Sequence, residues 1–262
     1  MPQLLTQRKR FVVSLLTSAS GNHSREILLA DGVSPSGKAP VFGTGIPRFE
    51  SWHPSHFSEV LFISPFTLYW HEATAALAAA DPVMAGLMTA FPGEWRASEG
   101  DAFTTLIRAV VGQQISVKAA ETIWQRLCAA VGGMSPERCV DLTEEQGRGV
   151  GLSRQKSRYV QGIAQAFVKR AVHPEGWREM LDEAVLAELI ALPGIGRWTA
   201  EMFLIFHLQR PDVFPVGDLG VLKAVARHYH AGESRSKPEI LAIAEQWQPW
   251  RTVATWYLWR SL

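Results

Sequence analysis

Leu192-Pro193-Gly194-Ile195-Gly196-Arg197-Trp198-Thr199-Ala200-Glu201 is the stretch that decides the fold. Amphipathic runs flank its turn, one over residues 182–191 and one over 197–208. The pattern predicts a helix, a two-glycine hairpin and a second helix. Gly194 and Gly196 are expected to take dihedrals closed to other residues and to keep side chains out of a partner's way. Pro193 removes one donor and stiffens the approach to the turn. The second helix begins with unpaired N–H groups and the positive end of its dipole pointing outward. That is a phosphate site made of backbone, with no need of a lysine. Taken alone, Gly-Ile-Gly also fits a plain turn between helices. The longer Leu-Pro-Gly-Ile-Gly-Arg, followed by Phe214-Pro215-Val216-Gly217-Asp218, is far more specific.

The rest of the chain bounds the reading. At 262 residues, with 47% hydrophobic residues and ten tryptophans, it can bury a large core. A formal net charge of +1 does not mark a nucleic-acid binder, so any DNA contact must come from a local patch. Cys128 and Cys139 are the two cysteines, which suggests a reduced compartment and excludes a four-cysteine iron–sulfur cluster. No apolar run reaches the ~20 residues that cross a bilayer. Residues 8–16 have a basic start and a short apolar segment, but no convincing cleavage region comes after it. A cytoplasmic protein without a membrane segment is expected.

Residues 1–66 differ in character from the remainder of the chain. They are rich in proline and glycine, with aromatics at no regular period, and read as an irregular or disordered extension. Residues 10–16, 26–29 and 59–63 are the stretches that resemble short strands. From Tyr69 onward the helical period takes over, and residues 67–262 read as one all-α domain. Asp81-Pro82, Asp101, Ser116, Ser135, Ser153 and Asp218 each stand where a helix begins. Gly112-Gln113-Gln114 breaks one helix before Ser116 starts the next. The expected architecture is two packed helical subdomains with a cleft between them.

The hairpin and its downstream aspartate resemble the helix-hairpin-helix base-excision DNA glycosylases, and within them the alkylpurine (3-methyladenine) DNA glycosylase II branch. The resemblance covers residues 69–262. It implies that Asp218 faces C1′ of a flipped nucleotide and is catalytic, although aspartate in Val216-Gly217-Asp218-Leu219 also suits a plain helix cap. A carboxylate there would stabilise positive charge on the sugar and orient or deprotonate the attacking water. Lyase-competent relatives carry a Schiff-base lysine at the second residue after the hairpin's last glycine, and here that residue is Trp198. An indole forms no imine, so the resemblance implies a monofunctional enzyme. Trp198 and Trp259 correspond to pocket tryptophans, whose faces attract a cationic alkylated purine over a neutral base. Met202, four residues after Trp198 and on the same helical face, is taken as a third residue of that base pocket. Trp247, Trp250 and Trp256 are read as core or subdomain contacts.

Gln113-Gln114-Ile115 resembles the turn that fills the gap left by the flipped nucleotide, with Gln114 in the wedge place and Gln113 or Ile115 able to share the work. Gly194, Gly196 and Arg197 would grip the backbone. Gly151-Leu152-Ser153-Arg154-Gln155-Lys156 opens a basic stretch, and Lys156 is assigned a phosphate contact. In the family that segment lies near the active site and helps shape the helical core. No cofactor is expected, and zinc is disfavoured by histidine spacing. A monovalent cation among the carbonyls of Leu192 and Ile195 is implied by related hairpins. Double-stranded DNA is the expected partner and a monomer the expected state. The competing reading is a non-catalytic helix-hairpin-helix DNA-binding protein, which would need neither Asp218 nor a tryptophan pocket.

Overall fold

The computed structural model describes residues 65–93 and 100–262. The N-terminal extension up to residue 64, with its three stretches that resemble short strands, lies outside them. Among the described residues there are twelve α-helices and no strand. They are α1 (Pro65–Ala80), α2 (Pro82–Ala90), α3 (Ala102–Gly112), α4 (Val117–Val131), α5 (Pro136–Cys139) and α6 (Glu144–Val150). Then come α7 (Arg154–Val168), α8 (Asp182–Ile190), α9 (Arg197–Phe206), α10 (Leu219–Tyr229), α11 (Lys237–Glu245) and α12 (Arg251–Arg260).

Local chemistry sets most of the starts. Asp81, Asp101, Ser116, Ser135, Thr143, Ser153 and Asp218 each accept a backbone N–H of the helix they precede. Each satisfies a donor that the helix leaves unpaired. Gly132 and Gly151 close α4 and α6 in the left-handed conformation.

The helices pack in two groups that share one continuous core. In the first, α7 is central: α3, α5 and α6 pack on it, α4 bridges α3 and α6, and α9 joins α3 to α8. Trp177, wholly buried, stands edge-on to both Phe167 and Phe203 and donates its indole N–H to Glu188 at 2.7 Å. In the second group α1, α2 and α10 pack on α12, and α1 packs on α2. Its centre is the Asp81 carboxylate, buried and accepting from Val83 N, Met84 N, the Tyr229 hydroxyl (2.6 Å) and Trp247 Nε1 (2.8 Å). Four donors offset the cost of burying that charge. Trp247 is fully buried, Trp250 stacks on Tyr69 and Trp256 lies under the Arg260 guanidinium. The start of α9, from the first group, and the start of α10, from the second, come together at one place.

Candidate active site

The hairpin is α8, a turn and α9. Leu192 and Ile195 are its buried anchors, 4% and 3% exposed. The tip rests on α7. Gly194 has φ +80°, and a Cβ there would meet the Tyr159 ring at 2.3 Å. Gly162 of α7 makes room for Pro193, whose Cγ would lie 2.6 Å from an added Cβ. Gly194 is therefore required both by its dihedral and by its contact. The expectation for Gly196 is corrected: its φ of −85° and ψ of 169° are ordinary extended backbone, and a Cβ there would meet nothing within 4 Å. What Gly196 leaves is open space above α9. It caps that helix with no side-chain hydrogen bond, the kind of helix start that suits an anion. The Leu192 carbonyl, expected to face a cation, accepts the Ile195 N–H at 3.2 Å.

The turn after α3 stands beside this tip. Gln113 donates Nε2 to the Gly194 carbonyl at 2.9 Å. Gln114 is exposed, with φ +58°, a left-handed conformation that costs a non-glycine residue free energy. Ile115 is half-buried. Of the three turn residues expected to face DNA, Gln113 is thus tied to the hairpin and Gln114 stands outward.

Asp218 lies where the two helix groups meet. Its Oδ1 accepts the Val221 N–H at 2.8 Å, capping α10, and also Trp259 Nε1 at 2.9 Å. Its Oδ2 accepts Trp198 Nε1 at 2.8 Å. The oxygen that does not cap α10 is therefore held by an indole. Trp198, in the first turn of α9, is 40% exposed, and Trp259 of α12 stacks on Phe206 at 5.9 Å with 10° between planes. The structure brings Asp218, Trp198 and Trp259 together. Met202 does not join them at the surface: it is 3% exposed and packs in the core. The arrangement offers one carboxylate, two orienting N–H donors and an accessible aromatic face beside an uncapped helix start.

The family model for HhH-GPD superfamily base excision DNA repair proteins matches residues 107–249, which hold the 113–115 turn, the hairpin and Asp218. The chain belongs to that superfamily. DNA-3-methyladenine glycosylase 1 of Schizosaccharomyces pombe is 34% identical over 163 residues, 61% of this chain and 72% of that protein. Two solved structures agree with the fold. The DNA-3-methyladenine glycosidase of Bacillus halodurans is 30% identical, with a TM-score of 0.68, over 72% of this chain and 88% of that one. The S. pombe 3-methyladenine DNA glycosylase in complex with abasic DNA is 31% identical, with a TM-score of 0.63, over 72% and 96%. Relatives from Bacillus subtilis extend further, and the chain spans 58% and 65% of the length of two of them.

Within this HhH-GPD chain the charged residues are arranged differently from expectation. Lys156 was expected at a phosphate, but its ammonium is engaged with the Val111 and Gln113 carbonyls, at 2.9 and 2.7 Å. Burial pushes its pKa below the usual lysine value. Arg154 and Arg158 both pair with Glu144. Arg197, exposed at the start of α9, pairs with Glu201 and with Glu183. Burial raises the pKa of Glu201, against the lowering effect of Arg197. Among the described residues no group of three His, Cys, Asp or Glu side chains is placed to hold a metal, and no helix is long and apolar enough to cross a membrane.

Three site residues escaped the sequence reading. Phe206 backs Trp259. Gly220 lets Trp259 reach the carboxylate, since a Cβ there would lie 3.0 Å from Asp218 Oδ1 and 3.2 Å from Trp259 Cδ1. Tyr159 is the floor under the hairpin. A glycine in the first turn of α10, two residues after the aspartate, was the available signal for Gly220; the other two depend on tertiary packing alone.

Proposed function

We propose that this HhH-GPD protein is a monofunctional DNA glycosylase that hydrolyses the N-glycosidic bond of alkylated purines, 3-methyladenine chief among them, in duplex DNA. The observation that carries the reading is the Asp218 carboxylate held between the indoles of Trp198 and Trp259 beside the hairpin. Residues 67–262 form the catalytic domain, which works as a monomer in the cytoplasm.

The chemistry follows from charge. A purine alkylated at N3 or N7 is cationic, so it leaves with the C1′–N electron pair without first being protonated. The sugar develops positive charge as that bond breaks. A fixed carboxylate stabilises that charge, and water then attacks C1′ and gives up a proton toward Asp218. Trp198 is the group to move: when the nucleotide enters, its hydrogen bond to Oδ2 gives way to the sugar and the water, and its ring meets the cationic base. Arrival of a flipped nucleotide costs unstacking and unpairing, least for a damaged base. The uncapped start of α9 binds the neighbouring phosphate. Nothing at position 198 can form an imine, so the product is an abasic site in an unbroken strand.

The test is release of free base from alkylated duplex, with strand cleavage scored before and after alkali. Base release with nicks only after alkali is expected. Nicks before alkali would make the protein a lyase, and intact DNA binding without any release would make it a binding module.

A further inference from the structure

We propose that Lys156 is a positioning residue that locks the 113–115 turn to the hairpin, so that Gln114 is held at the place a flipped nucleotide vacates. The proposal rests on the glycosylase reading above. α3 ends at Gly112, and the last carbonyls of a helix lack helical partners. The Lys156 ammonium donates to Val111 O at 2.9 Å and to Gln113 O at 2.7 Å, which uses two of its three N–H groups. A cation at that end also suits the helix dipole.

Gln113 extends the contact. Its carbonyl is held by Lys156, while its side-chain Nε2 holds the Gly194 carbonyl at 2.9 Å. Gly194 in turn lies on Tyr159, one turn of α7 beyond Lys156, and Pro193 lies on Gly162 one turn further. The two loops that would meet DNA are thus mounted on a single helix. Gln114 comes next in the chain, exposed in a left-handed conformation that glycine or asparagine fills more readily. Such a conformation persists where its surroundings over-determine it, and Lys156 supplies that constraint from the residue before. A phosphate contact by Lys156 would instead require its ammonium to leave both carbonyls.

Lys156→Met keeps the chain length and removes charge and donors. Single-turnover base release at saturating protein is expected to fall about 10- to 100-fold, as for misplacement of a positioning group. Fluorescence of 2-aminopurine beside the target, a signal of extrusion, is expected to fall with it. The log–log salt slope for binding undamaged duplex is expected not to change. A slope smaller by about 0.9 with full release at saturation would show a phosphate contact and overturn the proposal. Unchanged release and extrusion would also overturn it. So would a lowered thermal midpoint with normal extrusion, since that marks a role in stability only. Lys156→Arg, which keeps the donors, is expected to restore extrusion. If Lys156→Met does not fold, Gln113→Met removes the other half of the lock and is expected to lose extrusion in the same way; a Gln113→Met protein with full extrusion would sink the idea. Absence of base release by the wild type would instead count against the glycosylase reading itself.

Discussion

Asp218 accepts three hydrogen bonds, and two of them come from indoles. Phenylalanine or tyrosine could stack on a cationic base, but neither places a ring N–H on this carboxylate. Trp259→Phe is therefore expected to keep the aromatic face and lower the single-turnover rate about 10-fold, the scale of one hydrogen bond to a charged group. Its KM should change little; an unaltered rate would show that the ring alone matters. Trp198→Lys is expected to yield no borohydride-trapped complex, because a lysine must also have its pKa lowered to act as a nucleophile. Asp218 and Trp198 were singled out as residues by the hairpin's resemblance to its family. Their contact was not, because the partners are 20 and 41 residues apart along the chain. Gly196 was misread because a glycine's sequence position does not reveal its dihedral.

At the level of elements, the helix starts were written in local chemistry. Aspartate or serine before an apolar-periodic run marked α2, α3, α4, α5, α7 and α10, since a cap acts within three residues. The mounting of both loops on α7 was hidden, because it depends on packing between Gly162 and Pro193 and between Tyr159 and Gly194. The hairpin's glycines now separate into two kinds. Gly194→Ala puts a Cβ into the Tyr159 ring at φ +80° and is expected to destabilise the protein by about 1–3 kcal/mol. Gly196→Ala meets open space at an ordinary dihedral and is expected to leave stability within ~1 kcal/mol of wild type, or raise it slightly. It should instead weaken duplex binding by crowding the start of α9. Thermal unfolding and binding titration of the two variants check the contrast, which fails if Gly196→Ala binds normally.

For the whole molecule, two aggregate properties are measurable. His207 stacks on Phe203 and shares a hydrogen bond with Thr105, and burial, aided by Arg178, lowers its pKa to about 4. Its ordinary value is 6.5, so between these values the unfolded chain takes up the proton and the folded chain does not. The stability this residue contributes is present above pH 6.5 and is lost as pH falls from there through 4. The thermal midpoint should drop across that window, and less steeply in His207→Phe; equal slopes would exclude His207 as the cause. The second property is salt dependence. With a net charge of +1, and with Arg158 and Arg197 paired to glutamates, the protein must exchange weak surface ion pairs for phosphates. Log affinity for duplex should still fall linearly with log salt, by about 0.9 per phosphate neutralised. A flat line would contradict a backbone grip. Composition alone gave no hint of DNA, and the all-α class came from periodicity after residue 69.

Base excision is proposed to depend on the carboxylate held by two tryptophans. The direct measurement is single-turnover release of free base from alkylated duplex by wild type and Asp218→Asn, with duplex affinity measured in parallel. Asparagine keeps the size and the helix cap but removes the charge, so release is expected to fall about 100-fold or more while affinity stays close to wild type. Equal release by both proteins would contradict the assignment of the chemistry to Asp218.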